Sequence, residues 1–187
     1  MIEISEPIKT SRLTLRPFTE RDEDDMLEFE AQPDVARYLF NEPRTREDNA
    51  QELATRQQQT ALRKEGDTLL LAVDLDGKAI GYVLLIWLSE QNKQGEFGYV
   101  MHPGFHGRGY ATEASVEMLR LGFEQLGLHR IIGRCDPRND ASYRLMERVG
   151  MRREAHFVES EIFKGEWGGE FVYAMLKGEW RASRWAQ

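Results

Sequence analysis

The amino-acid sequence predicts a single α/β domain in which a β-sheet is flanked by helices. The chain has 187 residues, of which 41% are hydrophobic and 30% charged, as is typical of one domain with a full hydrophobic core. Segments with the alternating pattern of strands are interspersed with segments that have helical spacing. No internal repeat, low-complexity tract or linker separates them, so we expect residues 1–187 to fold as one unit.

The first third of the chain is predicted to form a strand followed by helices. Residues 11–17 alternate around Leu13 and Leu15 and stop at a proline, as a strand does. Thr19 and Thr45 are suitable N-caps, and Thr45 also begins a capping box. The predicted helices are 19–31, 33–39 and 45–64.

The middle of the chain changes to the pattern of strands. Residues 69–75 and 79–88 are apolar runs joined by Asp76 and Gly77, which is a strong hairpin signal. Residues 96–101 follow as a third strand. We expect these three strands to be antiparallel neighbours in the sheet.

A long helix, a short strand and a second helix come next. Residues 110–126 have helical spacing with a wide apolar face, and Gly127 ends the helix. Residues 129–134 are predicted as a strand. A loop then leads to a helix that Asn139 caps and that ends at Val149.

The C-terminal segment returns to the alternating pattern of apolar and polar residues that is typical of strands. Residues 157–163 and 170–176 are predicted as a closing hairpin. Residues 177–187, which include Trp180 and Trp185, are predicted as a frayed end.

Charge and composition exclude several classes of function. A net charge of -7 makes nucleic acid a poor partner and favours long-range attraction of a basic substrate. The single cysteine, Cys135, excludes an intramolecular disulfide framework and a zinc site built on several thiolates. The histidines have no metal-ligand spacing, so no metal is expected. No apolar run reaches about 18 residues and no export signal begins the chain, which predicts a cytoplasmic protein without a membrane partner.

A glycine-rich loop before the helix at 110–126 is the most informative segment. Residues 102–111 include Gly104, Gly107 and Gly109, and the order of strand, glycine loop and helix suits the binding of a phosphate by free amides of the first helical turn. The glycines by themselves would fit a tight turn equally well. Their spacing matches neither G-x-x-x-x-G-K-[ST] nor G-x-G-x-x-G, which disfavours nucleotide hydrolysis and dinucleotide redox chemistry.

The loop resembles the acetyl-coenzyme A signature [QR]-x-x-G-x-[GA] of GNAT superfamily N-acetyltransferases, with His106 at the first position. Residues 10–17, 95–100, 107–114 and 139–151 are similar to the ribosomal-protein alanine acetyltransferase (RimJ/RimL-type) branch of that family. The resemblance implies a central twisted mixed β-sheet flanked by helices, which is an α/β fold of the α+β type.

The same resemblance implies acetyl-coenzyme A as cosubstrate and assigns its contacts. Main-chain groups of Tyr99 and Val100 would bind the pantetheine arm, and an amide of this strand would stabilise the oxyanion. Asn139 would bond the arm, with Ser142 beside it, and helix capping is the alternative role of Asn139. The pyrophosphate would be held by the amides of Gly107, Arg108, Gly109, Tyr110 and Ala111. His106, at the first position of the signature, is also expected to bind the coenzyme.

The implied reaction is direct transfer of acetyl to a primary amine. Glu96 is the candidate general base, because it begins the strand that would present its backbone to the thioester. A solvated surface glutamate is the alternative. The tyrosine that many family members use as acid is replaced here by Met146. Ser142 is therefore the candidate acid, with Tyr143 behind it, and a serine that bonds only to backbone is the alternative.

Because of the resemblance to the ribosomal-protein alanine acetyltransferase branch, the acceptor is expected first to be a protein N-terminal α-amine. Its pKa of about 7.7 to 8.0 makes deprotonation at neutral pH cost about 1 kcal/mol, against about 5 kcal/mol for a lysine. Small cationic amines remain open, among them antibiotics, polyamines and amino acids. A non-catalytic acyl-coenzyme A sensor is the alternative from another class, and a homodimer is left open. The surface expected to bind the acceptor, residues 33–64, has no recognisable motif.

Overall fold

The structure, a computed structural model that describes residues 1–186, is built around an eight-stranded mixed β-sheet. The strands are β1 (Ile2–Glu3), β2 (Ile8–Lys9), β3 (Thr14–Arg16), β4 (Ala61–Leu62), β5 (Thr68–Leu75), β6 (Lys78–Ser89), β7 (Gln94–Met101), β8 (Arg130–Cys135), β9 (Arg152–Phe163) and β10 (Glu166–Leu176). Their order in the large sheet is β2-β3-β5-β6-β7-β8-β10-β9, and β1 pairs separately with β4. Neighbouring strands are antiparallel except β7 and β8, which are parallel. The predicted mixed-sheet α/β fold is confirmed.

Helices cover both faces of this sheet. They are α1 (Glu23–Glu30), α2 (Pro33–Ala36), α3 (Arg46–Arg56), α4 (Tyr110–Arg120, continued by a π-helical turn at Leu121–Gln125), α5 (Asp140–Val149) and α6 (Lys177–Ala182). Alternation along β5 separates the faces, because Leu69 and Leu71 point to the core beside α4, α5 and α6, whereas Leu70 and Ala72 point to the core beside α1 and α3. In the described part of the chain, no helix has the length and hydropathy needed to cross a membrane.

Helix α3 is shorter than its sequence predicted. It was expected to reach residue 64, but it ends at Arg56, and Ala61 and Leu62 form β4 instead. These two residues pair with Ile2–Glu3 and are buried. Their apolar side chains also fit helical spacing, so the local pattern could not distinguish the two conformations. The deciding interaction is with β1, which is distant in sequence and was not predicted.

The prediction of a frayed C-terminal end was wrong for the residues that form α6. Trp180 is only 1% exposed, and its ring stacks on Phe123 with the ring centroids 5.7 Å apart. Its indole Nε1 donates a hydrogen bond of 2.8 Å to the Glu124 carboxylate. The segment docks because of these distant partners, which a short C-terminal sequence does not reveal. Gln187, the last residue of the predicted frayed segment, lies outside the described residues.

Trp180→Phe is expected to lower the free energy of unfolding by about 1–2 kcal/mol. The smaller ring leaves part of its buried site unfilled, and the Glu124 carboxylate loses a hydrogen-bond donor. Equilibrium unfolding in urea measures the change. The control is Trp167→Phe, because Trp167 is 63% exposed and a surface change is expected to cost less than about 0.5 kcal/mol. Equally small effects at both positions would contradict the docking of α6.

Candidate active site

A cleft opens in the sheet where β7 and β8 separate. The two strands pair only from Gln94 to Glu96 on β7 and from Arg130 to Ile132 on β8. β7 remains paired with β6 as far as Met101, so its other backbone edge faces the gap. A cavity of about 1430 Å³ extends from this gap to the glycine loop. An exposed strand edge of this kind can bind an extended chain through main-chain hydrogen bonds.

The glycine loop presents a row of free amides at one end of the cavity. Gly107 and Gly109 have φ angles of 75° and 81°, in the left-handed region that favours glycine. Within residues 1–186, the backbone amides of residues 107–112 donate no hydrogen bond, whereas the amide of Glu113 donates to the Gly109 carbonyl. The row lies at the N-terminus of the 11-residue helix α4, where amides and the helix dipole together favour an anion.

Side chains of the loop hold it in place. His106 Nε2 lies 3.0 Å from the carbonyl oxygen of Met101; because a carbonyl only accepts, this nitrogen carries the hydrogen. The Arg108 guanidinium lies over the ring of Phe105, 5.7 Å from its centroid. Tyr110, like His106, lines the cavity. The His106 side chain therefore ties the loop to the end of β7, while its backbone amide donates to the Pro103 carbonyl within the loop.

Glu96 lies where the two strands begin to separate and lines the cavity. Arg134 bridges it to a second carboxylate, since Arg134 Nε is 3.4 Å from Glu96 and Nη1 is 3.6 Å from Glu170. Burial raises the pKa of Glu96 above its usual range; Arg134 opposes this shift and Glu170 adds to it. A carboxylate with a raised pKa is a stronger base than an ordinary glutamate.

The first turn of α5 forms the opposite wall of the cavity. The Asn139 side-chain oxygen accepts a hydrogen bond of 3.2 Å from the Ser142 amide, which caps the helix. Both residues line the cavity. The structure does not bring Tyr143 to the same wall, because its ring packs edge-to-face on Phe171 with the centroids 5.8 Å apart. Successive helical residues point about 100° apart, which separates the Tyr143 and Ser142 side chains.

Tyr99 crosses the cleft towards α5. Its hydroxyl donates to the Ala141 carbonyl at 3.4 Å, beside Ser142. Burial raises the pKa of Tyr99 to about 12, although the Ser142 hydroxyl counteracts the shift. Burial likewise raises the pKa of Cys135 to about 11, so both groups stay protonated at neutral pH. In the part of the chain that the structure describes, no group of three or more His, Cys, Asp or Glu side chains is placed to hold a metal ion.

Two side chains beside the glycine loop were not predicted as site residues. Arg12 donates from Nη1 to the Arg108 carbonyl at 2.9 Å and from Nε to the Glu113 carboxylate at 2.8 Å. Arg12 and Glu113 are 101 positions apart, so no local pattern could have indicated the pair. Both residues do belong to segments that carried the family resemblance, Arg12 to 10–17 and Glu113 to 107–114, and this was the available signal.

The segment around α2 forms the outer wall of the cleft. Tyr38 donates its hydroxyl hydrogen to the Arg138 carbonyl at 3.0 Å. Lys164, at the tip of the β9–β10 hairpin, donates to the carbonyls of Ala36 and Asn41, both at 2.9 Å. Asp34, Leu39 and Phe40 line the cavity on this side. The predicted acceptor surface thus reaches the cleft through its first part, residues 33–40.

Comparisons with known proteins agree with this geometry. The family model described as "Acetyltransferase (GNAT) domain" matches residues 12–152. The uncharacterized N-acetyltransferase YnaD of Bacillus subtilis (strain 168) is 32% identical over 178 residues, which cover 92% of this chain and 98% of that protein. A solved GNAT-family acetyltransferase from Bacillus anthracis is 31% identical, with a TM-score of 0.81 over 92% of this chain and 99% of that one. A spermidine N-acetyltransferase from Vibrio cholerae, solved in complex with CoA and spermine, shares the fold with 23% identity and a TM-score of 0.75, over 91% of this chain and 99% of that one.

Proposed function

The chain belongs to the GNAT acetyltransferase family and uses acetyl-coenzyme A, and on this premise we propose that Glu96 is its general base. We propose a protein N-terminal α-amine as its acceptor. The observation that carries the proposal is the position of Glu96, a partly buried carboxylate with a raised pKa at the point where β7 and β8 separate. This is where a thioester laid along the edge of β7 would meet an amine.

The residues around the cavity fit the cosubstrate. Acetyl-coenzyme A supplies the acetyl group as a thioester, together with a pyrophosphate and an arm that contains amides. The free amides of residues 107–111 hold the pyrophosphate. The free edge of β7 at Tyr99 and Val100 pairs with the arm. Asn139, whose side-chain oxygen already caps α5, offers its NH₂ group to the same arm.

Each catalytic group has one task in the transfer. The amine nitrogen forms a bond to the acetyl carbon, the carbon–sulfur bond breaks, and the proton released by nitrogen passes to Glu96 directly or through water. A backbone amide near Tyr99 or Val100 donates to the carbonyl oxygen as negative charge develops there. The Ser142 hydroxyl, on the opposite wall, donates a hydrogen bond to the departing sulfur, and the protonated Tyr99 hydroxyl lies beside it.

A terminal α-amine suits a site with one carboxylate base. Its deprotonation at neutral pH costs about 1 kcal/mol, which a glutamate with a raised pKa offsets more readily than the larger cost for lysine. The branch resemblance supports the same class of acceptor. Small cationic amines are the second candidate, because the structural neighbour from Vibrio cholerae carries spermine. Asp34 on the outer wall and the net charge of -7 would attract such amines.

The acceptor is tested by measuring thiol release from acetyl-coenzyme A. The panel contains peptides with different first residues, the same peptides with blocked α-amines, and spermidine, spermine and free amino acids. We expect release only with free α-amines of peptides, and no release with their blocked forms. Faster turnover of polyamines than of every peptide would support the second candidate instead. Coenzyme binding without release in any set would indicate a sensor and overturn the proposed function.

A further inference from the structure

Arg12 connects the N-terminal segment to the glycine loop through three separate contacts. Its Nη1 donates a hydrogen bond of 2.9 Å to the carbonyl of Arg108. Arg108 lies between Gly107 and Gly109, the two glycines with positive φ. The Nε and Nη2 of Arg12 both lie 2.8 Å from one oxygen of Glu113. Its guanidinium also lies over the ring of Tyr110, 4.6 Å from the centroid. A single side chain therefore contacts the loop backbone and the first turn of α4 together.

Glu113 is held by the same short segment. Its carboxylate accepts hydrogen bonds from the Thr10 hydroxyl at 2.6 Å and from the Arg12 backbone amide at 2.7 Å. Burial alone would raise the pKa of Glu113, but these hydrogen bonds and the Arg12 guanidinium lower it below its usual range. The carboxylate is therefore ionised at neutral pH.

An ionised carboxylate in this position opposes the binding of a phosphate. Glu113 belongs to the first turn of α4 and lines the cavity together with the residues whose amides are free, and its negative charge would repel an anion bound at this turn. The Arg12 guanidinium carries the opposite charge and contacts this carboxylate directly, although 44% of its side chain is exposed. Because the two charges are paired, the positive end of the helix dipole can still attract an anion.

From these contacts we infer that Arg12 is the positioning residue of the phosphate loop. It holds the backbone of residues 107–109 through the Arg108 carbonyl, and it cancels the charge of Glu113 so that the loop binds the pyrophosphate of acetyl-coenzyme A. The inference rests on the proposed coenzyme site. The inference goes beyond that site because Arg12 lies outside the glycine signature. Arg12 is also expected to affect only the affinity for the phosphate end of the coenzyme.

The first test is the Kd of coenzyme A, measured calorimetrically without any acceptor. We expect Arg12→Gln to raise this Kd by about tenfold or more, because the loop loses its anchor and the charge of Glu113 is no longer balanced. The matched control is Arg63→Gln, which removes another Arg–Glu pair between segments far apart in the chain, with Arg63 Nη2 2.8 Å from Glu3, 60 positions away. A Kd unchanged by Arg12→Gln would overturn the inference.

A double variant tests whether Arg12 acts by balancing the charge of Glu113. In Arg12→Gln combined with Glu113→Gln, the unbalanced charge is absent, and we expect the Kd to recover part of the loss. A double variant that binds no better than Arg12→Gln alone would mean that Arg12 does not act by balancing the charge of Glu113, and this part of the inference would be wrong.

Acetyl-pantetheine, which lacks the pyrophosphate, supplies the second readout. With this donor we expect Arg12→Gln to have the same kcat/KM as the unmodified protein, whereas with acetyl-coenzyme A its KM rises and its kcat changes little. An equal loss of kcat/KM with both donors would assign Arg12 to folding or chemistry and overturn the inference. The Kd measurements need no acceptor, so failure of acetyl transfer to every amine would refute the proposed function without altering them.

Discussion

Glu96→Gln is expected to lower kcat for acetyl transfer by about 100- to 10,000-fold at neutral pH, the usual contribution of a general base. Glutamine nearly preserves the size of the side chain and its place beside Arg134, but it cannot take the proton from the attacking amine. The Kd of coenzyme A should not change, because the pyrophosphate and arm contacts lie elsewhere. Steady-state kinetics and calorimetry on the same preparation measure the two effects.

Glu170→Gln is the matched control for this substitution. Glu170 pairs with the same Arg134, and its side chain is exposed to nearly the same extent, 25% against 24% for Glu96. The control variant should keep most of its turnover, because Glu96 is the member of the pair that lines the cavity. A loss of similar size in both variants would mean that the charge balance around Arg134 matters and that Glu96 is not the base.

The pH profile of kcat gives an independent check with a definite sign. Only ionised Glu96 accepts a proton, so activity falls as the pH decreases through the pKa of Glu96. Because burial raises that pKa, the acidic limb of the profile should lie above the range of an ordinary glutamate. Removing the nearby charge in Glu170→Gln should move this limb to lower pH, since Glu170 helps to raise the pKa of Glu96. A limb that does not move would contradict this electrostatic coupling.

Gly107→Ala is expected to raise the Kd of coenzyme A by about tenfold or more. The residue has a φ of 75°, which alanine adopts only at a cost of about 1–2 kcal/mol. A Cβ placed there meets no protein atom within 4 Å, so the protein itself has room for it. The methyl group would stand on the cavity wall, where a phosphate oxygen must approach the amides closely.

Gly66→Ala is the control that separates backbone strain from ligand approach. Gly66 has a φ of 91°, and a Cβ there also meets nothing within 4 Å, but it lies in the turn before β5, away from the cavity. Both variants should lose a similar amount of unfolding free energy in urea, and only Gly107→Ala should bind coenzyme more weakly. Unchanged coenzyme binding by Gly107→Ala would show that this glycine serves the turn alone and would remove the loop from the binding site.

Much of the site could be predicted from the sequence, because its signals are local. Asn139 caps α5 through the amide three residues on, as short-range capping requires. Gly107 and Gly109 adopt the positive φ that only glycine takes readily. Alternation along the middle strands correctly predicted that Glu96 lies on the strand before the glycine loop. The motifs around these residues indicated the family.

Other features depend on which distant segments pack together. Nothing local distinguishes helix from strand at Ala61 and Leu62, and β1 decides it by pairing with them. Trp180 is ordered by Phe123 and Glu124.

The sequence by itself determined β3 and the longer strands β5 to β10, the caps, the glycine loop and the family, since each follows from backbone preferences and side-chain periodicity over a few residues. The tertiary structure alone decided that β7 and β8 part after Glu96, that Tyr143 faces Phe171 and not the cleft, and that Arg12 reaches Glu113. These features depend on interactions between residues far apart in the chain. Their free energies are set by burial and by charge pairing in the folded protein, which a local sequence pattern does not encode.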